Sequence, residues 1–395
     1  MTFPSPSKPS GPSGPSGPIA VFGATGVVGR RVCEALAQMG AAIRLVGRRP
    51  DALDDLARAL PVGAAHAAHA AGLDPAALAR AFAGARVVVN AAGPLRDTAE
   101  PVLGAALAAG AHYVDVGGEQ AVLRAVYERH ESAVRRAGLV ALPGAGLDAA
   151  IGDLAVAWAA EQLAARDGGD RGDTVRADPA PRLAEARPLD DIAVTYAFDD
   201  LALSAGSQRA LFGAIGARAL VWRRDRWEPA RAGDHRRINP GPALGGERDA
   251  VGYAAGAVIT IPRHIAAHRV ASYVSTTRSP TAAIALRVIA RALPLLPRGA
   301  GELLAPYAPP DADYGATRLA VVAQARRGFS AAQVVVRGQD LYRTTAVVVA
   351  WSAHRLAERG AGPTGMCAPG ELFRAEPALR AIASAADLTI EPGFG

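Results

Sequence analysis

A glycine-rich turn between two apolar segments constrains this chain more than any other feature. Gly23, Gly26 and Gly29 lie three residues apart in the run IAVFGATGVVGRRVCEALAQM, which begins at Ile19. The residues before the turn are typical of a short buried strand, and the apolar residues after it recur at helical spacing. A helix that begins at such a turn presents free N–H groups and the positive end of its dipole to an anion. The motif therefore predicts a dinucleotide-binding βαβ unit.

The turn and the first helical turn supply the first group of expected cofactor contacts. Gly23 would allow the tight exit from the strand, and Gly26 would let the backbone approach a pyrophosphate. The alternative is a glycine turn that closes a βαβ unit around no ligand. The expected cofactor-binding residues here are Gly23, Thr25, Gly26, Val27 and Val28.

Two arginines follow the second predicted strand and indicate which dinucleotide binds. An acidic residue at this place would accept hydrogen bonds from the ribose 2′-hydroxyl of NAD, whereas arginine suits the 2′-phosphate of NADP. The chain has Arg48 and Arg49 there. The alternative is a solvated loop. We therefore expect NADP(H) as the cofactor.

Small and acidic residues follow three further predicted strands. Ligands of open parallel sheets bind outside the carboxyl ends of strands, so these loops are candidate sites. The expected cofactor contacts in them are Asn90, Ala91, Gly93 and Gly117. The candidate proton donors are Asp115, Glu119 and Asp148, for which loop ordering, a helix start and an N-cap are the respective alternatives.

Composition excludes several kinds of chemistry. The only lysine is Lys8, near the N-terminus, so no later residue can supply a Schiff-base, P-loop or Tyr-x-x-x-Lys lysine. Cys33 and Cys367 have no Cys-x-x-Cys or Cys/His partner pattern, which predicts neither a metal site nor a disulfide framework. No uninterrupted apolar run approaches the ~18 residues that would span a bilayer, and no signal segment is recognisable. We expect a cytoplasmic protein.

The order of predicted elements indicates an α/β fold with two domains. Residues 1–18 are a Pro/Ser/Gly tail that we expect to be disordered. Residues 19–155 predict a doubly wound parallel sheet of the Rossmann type. The strand–helix alternation is lost over 156–341, which predicts a mixed α+β domain with a largely antiparallel sheet. In this part we expect the apolar run Ala255–Ile261 to be a strand.

Basic residues concentrate between Arg218 and Arg237, where Trp222 and Trp227 interleave with seven arginines, and the formal net charge of the chain is +6. A solvated basic face is the leading interpretation, and an anionic substrate or acidic partner is the alternative. No nucleic-acid-binding module is recognisable, so we expect no nucleic-acid partner.

The motifs together resemble the saccharopine dehydrogenase-like NADP-binding oxidoreductases, including the branch of trans-acting enoyl reductases. The segments that carry the resemblance are VFGATGVVGRRV, LVGRR, VVVNAAGP, HYVDVGGE and LPGAGLDAAIGDLA, with weaker similarity in the second domain. The chain departs from the family where its usual Gly-Phe-Asp-Ser-x-Pro run is Gly-Leu-Asp-Ala-Ala-Ile. The resemblance implies that residues 342–395 pack back on the cofactor domain.

The leading functional hypothesis is hydride transfer between NADP(H) and a small imine, carbonyl or enoyl substrate. His264, in a Pro-Arg-His run, is a further candidate proton donor beside the three carboxylates. The substrate is expected to bind between the domains. The alternatives are an NADP(H)-binding regulator without turnover and a reductase of a carrier-protein-bound substrate. A homodimer and an anionic substrate both remain open from the sequence.

Overall fold

The computed structural model describes residues 17–61, 66–166, 183, 186–213, 218–276, 284, 288, 291–292, 313–360 and 362–394. The predicted tail of residues 1–18 therefore lies outside the described residues except for Gly17 and Pro18. Two compact units are present, and the chain passes between them several times. The first comprises the described residues of Met1–Val116, Ala125–Ala145 and Thr345–Cys367, and the second those of Gly117–Arg124, Gly146–Thr344 and Ala368–Gly395.

The first unit contains a parallel sheet whose described strands run in the order β3-β2-β1-β4-β5-β6-β15. Each adjacent pair is parallel. Strands β1 and β4 are buried along their whole length and apolar except for Asn90, as expected for strands covered on both faces. The strands are β1 (Ile19–Phe22), β2 (Ile43–Gly47), β3 (His66–Ala70), β4 (Val87–Asn90), β5 (His112–Asp115), β6 (Val140–Leu142) and β15 (Gly365–Met366).

Strand order reverses between β1 and β4, so the carboxyl ends of these two strands form the switch point where doubly wound sheets bind ligands. This order confirms the predicted Rossmann-type sheet. The helices that connect or flank its strands are α1 (Val27–Gln38), α2 (Pro50–Ala59), α3 (Pro75–Phe82), α4 (Leu95–Ala108), α5 (Gln120–Arg136) and α9 (Leu341–Ala357).

The second unit contains a mixed sheet in the order β10-β11-β12-β7-β13-β14-β16, with the β8–β9 hairpin paired to β12. Its pairs are antiparallel except for β12 with β7, which agrees with the predicted largely antiparallel sheet. The strands are β7 (Asp191–Asp199), β8 (Leu220–Arg223), β9 (Arg226–Pro229), β10 (His235–Ile238), β11 (Arg248–Gly252), β12 (Arg269–Ser275), β13 (Arg318–Arg327), β14 (Ser330–Gln339) and β16 (Thr389–Phe394).

A long buried helix packs on this sheet against β13 and β14. It is α6, and a single π-helical turn, Leu147–Ile151, precedes it without interruption. The described helices of the unit are α6 (Gly152–Arg166), α7 (Ala205–Gly213), α8 (Ala257–Thr260), α10 (Pro369–Leu372) and α11 (Ala375–Ala386), with short 3₁₀ turns at Pro242–Leu244, Ile261–Arg263 and Tyr314–Ala316.

One expectation from the sequence is wrong. The run Ala255–Ile261 is not a strand, because α8 and the following 3₁₀ turn occupy most of it.

The expected domain bounds remain a prediction, and the compact units divide the chain differently. Of residues 342–395, Thr345–Cys367 belongs to the first unit, where β15 pairs with β6. The remainder belongs to the second unit, because β16 pairs with β14. The second unit also takes in 117–124 and 146–155, which we expected in the cofactor domain.

Candidate functional site

Two of the three glycines are required by close backbone contacts. Gly23 has a φ of +81°, and a Cβ there would lie 2.8 Å from the Ala92 nitrogen. A Cβ on Gly29 would collide with the carbonyl oxygen of Gly23. The turn is thus packed against its own helix on one side and against the loop after β4 on the other, which brings the two strand ends of the switch point together.

The third glycine faces open space. A Cβ on Gly26 would have only the Gly23 carbonyl oxygen within 4 Å, at 3.3 Å. Gly26 is the N-cap of α1 and no side chain hydrogen-bonds to that cap. Val27, the first residue of the helix, is 38% exposed, and Thr25 and Val28 are half-buried. The cradle therefore fits a pyrophosphate at a helix N-terminus.

Arg48 and Arg49 are exposed and follow the end of β2, as the sequence predicts. Arg49 is the N-cap of α2, and its Nη2 donates to Thr25 Oγ1 at 3.1 Å. This contact draws one guanidinium to the edge of the glycine turn. Two exposed guanidinium groups beside a pyrophosphate cradle form a suitable site for the 2′-phosphate of NADP.

Asn90 is held by hydrogen bonds to neighbouring residues, and its role as a direct cofactor contact remains a prediction. It is fully buried. Its Nδ2 donates to Thr98 Oγ1 at 3.2 Å and to the Tyr113 hydroxyl at 3.3 Å, and its Oδ1 accepts from the Ala92 nitrogen. Asn90 thus shapes the loop, whose Ala91 is half-buried and whose Gly93 is exposed.

Asp115 is also an internal group, and its role as a proton donor remains a prediction. It is 2% exposed. One carboxylate oxygen accepts from the Tyr113 hydroxyl at 2.9 Å and the other from the Gly144 nitrogen at 2.8 Å. Burial and the charge of Asp115 hold the pKa of Tyr113 well above its usual range. The carboxylate therefore orders the loop after β6.

The second unit holds the other acidic candidates. Asp148 lies in the π-helical turn and is half-buried. A Cβ on Gly118 would collide with the Asp148 carboxylate, so a side chain at Gly118 would displace that acid before it blocked a substrate. Asp148 is not the N-cap, which is Gly146. π-Helical turns occur frequently at functional sites.

Glu119 and Gly117 flank Gly118. Glu119 is half-buried, and its backbone oxygen accepts a hydrogen bond from the Leu123 nitrogen in the first turn of α5. Gly117 is buried and lies in the second unit, so its role as a cofactor contact remains a prediction. These residues follow β5 directly in the chain, as Asp148 follows β6.

His264 is an internal residue of the second unit, and its role as a proton donor remains a prediction. It is 8% exposed, and its Nε2 lies 3.1 Å from both oxygens of the fully buried Asp153. Asp153 Oδ1 also accepts from the Gly370 nitrogen at 2.7 Å. Burial lowers the pKa of His264, but the charge and hydrogen bond of Asp153 raise it more, so its pKa lies above the usual value.

The fold adds a tyrosine that the sequence did not single out to the Asp148 cluster, which comprises Gly118, Asp148, Tyr196 and Tyr253. Tyr253 is half-buried, and its ring packs edge-on against Tyr196 at 6.2 Å between centroids. Tyr196 donates its hydroxyl to the backbone oxygen of Asp148. No periodic or motif signal marks Tyr253, because it reaches Tyr196 through pairing of distant strands.

Within the described part of the chain, no helix is long and apolar enough to cross a membrane. No group of three or more His, Cys, Asp or Glu side chains among these residues could hold a metal ion.

Comparison with known proteins agrees with this geometry. Residues 19–142 match the family model described as saccharopine dehydrogenase NADP binding domain. Two Mycobacterium tuberculosis proteins, from strains H37Rv and CDC 1551, carry the name putative trans-acting enoyl reductase. Each is 32% identical to this chain over 157 residues, which are 38% of this chain and 36% of the relative. The similarity thus spans about a third of those relatives' length.

Two solved structures share the fold over most of the chain. Saccharopine dehydrogenase (L-Glu forming) from Saccharomyces cerevisiae has a TM-score of 0.61 at 14% identity, covering 96% of this chain and all of the yeast protein. Homospermidine synthase from Legionella pneumophila, solved with NAD, has a TM-score of 0.59 at 12% identity, covering 95% and 91% of the two chains. Residues 19–142 therefore correspond to an NADP-binding domain of the saccharopine dehydrogenase type, and the fold of the chain is shared with saccharopine dehydrogenase.

Proposed function

We propose that this protein is an NADP(H)-dependent oxidoreductase that transfers a hydride to or from a small imine, carbonyl or enoyl substrate. The observation that carries the proposal is the open cradle at Gly26 with Arg48 and Arg49 beside it. When bound, NADP(H) supplies or accepts the hydride. The protein's residues bind and orient the cofactor, exclude competing reactions and hold a proton donor near the substrate.

Two carboxylates remain as the stronger candidate proton donors. Asp115 and His264 are buried and occupied by fixed partners, whereas Asp148 and Glu119 are half-buried. Both of the latter follow the carboxyl ends of sheet strands within a few residues, the position where ligands of doubly wound sheets bind. Asp148 is the stronger candidate, because the π-helical turn and the hydroxyl of Tyr196 fix its backbone.

The proposal is tested by binding and turnover in parallel. NADPH and NADH are titrated by protein fluorescence, and loss of NADPH absorbance is followed with three probes: a crotonyl thioester, phenanthrenequinone and pyrroline. We expect NADPH to bind more tightly than NADH and one probe class to be reduced. Tight NADPH binding without consumption by any probe would favour the alternative of an NADP(H)-binding regulator.

A reductase of a carrier-bound substrate is the second candidate, and the basic segment between Arg218 and Arg237 is the feature that favours it. The basic segment provides the docking surface that this candidate needs. Arg226 and Arg237 pair with Glu228 and Glu247, and Arg224 is exposed at the tip of the β8–β9 hairpin. Docking of an acidic carrier predicts turnover that falls steeply with salt, because exposed charges are screened over about 10 Å at 0.1 M. A flat salt profile would support a free small-molecule substrate.

A further inference from the structure

The segment that begins at Tyr253 is held rigidly by its neighbours. The Tyr253 nitrogen donates to the Ser272 backbone oxygen at 3.0 Å. The Ser272 hydroxyl donates to the Tyr253 backbone oxygen at 2.6 Å and accepts from the Ala255 nitrogen at 3.2 Å. Three hydrogen bonds to one strand residue define the backbone from which the Tyr253 side chain projects, and such pre-organisation is what a binding site requires.

The same segment contacts a second glycine turn, Gly117–Glu119, which contains one acidic candidate and packs against the other, Asp148. Gln120 is buried, directly follows Gly117–Glu119 in the chain, and donates from Nε2 to the Ala255 backbone oxygen at 3.0 Å. A Cβ on Gly256 would lie 3.2 Å from the Gly118 Cα and 2.9 Å from the Ala149 Cβ. Residues 253–256 therefore pack on both the glycine turn and the π-helical turn that carries Asp148.

The Tyr253 side chain lies beside two other groups of the cluster. Its ring contacts Tyr196, and the Asp148 carboxylate acts on its hydroxyl. Burial raises the pKa of Tyr253 above its usual value, and the Asp148 carboxylate raises it further. The phenol therefore keeps its proton at every pH where the protein would work, which suits a hydrogen-bond donor and not a base.

We propose that Tyr253 donates a hydrogen bond to an oxygen of the substrate, and that the substrate is a carbonyl compound or an alkene conjugated to a carbonyl. This inference rests on the proposed oxidoreductase function. Hydride addition to the carbon of such a substrate moves an electron pair onto its oxygen, and a proton from the carboxyl donor proposed above completes the reduced product. A neutral O–H aimed at that oxygen stabilises the developing charge without losing its own proton. A cationic imine would gain nothing from this donor.

The test compares Tyr253→Phe with a matched control, Tyr314→Phe. Tyr314 is also half-buried, in the second unit, and packs edge-on against a tyrosine, Tyr342, at 5.0 Å. For Tyr253→Phe we expect kcat/KM with the crotonyl thioester or phenanthrenequinone to fall about 10- to 150-fold, the range for a hydrogen bond to a charged group. NADPH affinity should stay within about twofold of wild type for both variants, because neither change touches the glycine cradle.

A second measurement does not depend on turnover. The carbonyl stretch of the bound crotonyl thioester, read by isotope-edited infrared spectroscopy, should lie at lower frequency in wild type than in Tyr253→Phe. Unchanged turnover and an unchanged stretch in the variant would overturn the inference while leaving the oxidoreductase proposal intact. Reduction of pyrroline alone, unimpaired by Tyr253→Phe, would do the same. A wild type that binds NADPH but neither binds nor reduces any of the three probes would overturn both.

Discussion

The glycine cradle of the first unit and the Asp148 cluster of the second are built in opposite ways. The cradle comes from residues 23–29, one strand end and two arginines, all within one sequence motif and its nearest parallel strands. The Asp148 cluster draws on a glycine turn, a π-helical turn, a β-strand and the segment after β11. Local assembly leaves room for a ligand at little structural cost, whereas distant assembly makes each residue both a site residue and a packing residue.

The contrast predicts different effects of substitutions in the two regions. Substitutions in the cradle should weaken cofactor binding without lowering the free energy of unfolding. Substitutions of buried polar residues should lower the free energy of unfolding, and only substitutions of half-exposed residues should reduce turnover without loss of stability.

The largest effect is expected from His264→Asn in the second unit. Breaking a buried ion pair by removing one partner costs about 3–5 kcal/mol. Because the folded-state pKa of His264 is raised, its stabilisation is fully present below the unfolded value of 6.5 and is lost as pH rises through the folded pKa. The difference in unfolding free energy between wild type and variant should therefore shrink with rising pH.

Urea unfolding across a pH series measures this difference. The groups that act on His264 are Asp153, Glu371 and Arg263, and Glu161 lies close enough for His264 to lower its pKa, which burial raises overall. The exposed His268 provides the control as His268→Asn. A pH-independent difference for His264→Asn would show that the histidine is neutral in the folded protein.

Gly26→Val should have the next largest effect, on binding alone. The cradle leaves space for a side chain in the protein but not for a side chain and a pyrophosphate. Loss of two charge-assisted hydrogen bonds corresponds to at least about 3 kcal/mol, or about 100-fold in NADPH affinity. Gly104→Val, in α4 and facing open space, is the matched control. Normal NADPH titration by the Gly26 variant would place the phosphate site elsewhere.

Asp115→Asn and Asp148→Asn separate an internal carboxylate from a site carboxylate. Asp115 holds two donors in the interior, so its variant should lose about 1–3 kcal/mol of unfolding free energy. Asp148→Asn should reduce kcat with little change in melting temperature, because its side chain is half-exposed. Thermal melts and turnover of the two variants give the comparison, and equal losses of stability would remove the distinction between the two acids.

The smallest predicted effect concerns cofactor choice. Replacing Arg48 and Arg49 by serine should weaken NADPH binding about tenfold or more, because the loss of even one charge-assisted contact with the phosphate removes about 1.5 kcal/mol. NADH affinity should not change. Arg58→Ser, which removes an exposed α2 arginine paired with Asp55, is the control. A parallel loss of NADH binding would mean that the arginines hold the fold of the loop instead.

The sequence by itself determined the Rossmann-type unit, its glycine cradle and the arginines beside it. These features depend on contacts between residues close in the chain. They also depend on apolar strands, which are buried whichever residues pack against them, so spacing and hydropathy are sufficient to identify them. The same reasoning predicted a strand for Ala255–Ile261, since a short apolar run has no period that separates a buried helix from a buried strand.

Only the tertiary structure decided which polar residues are interior and which are available. Asp115, Asn90 and His264 have the side-chain chemistry of functional groups, but Tyr113, Thr98 and Asp153 occupy their polar atoms in the interior. No motif in the sequence identifies Tyr253, and its position next to Tyr196 results from the pairing of β12 with β7. A buried polar group must find hydrogen-bond partners, and which partners it finds depends on contacts between residues far apart in the chain, which residue spacing does not record.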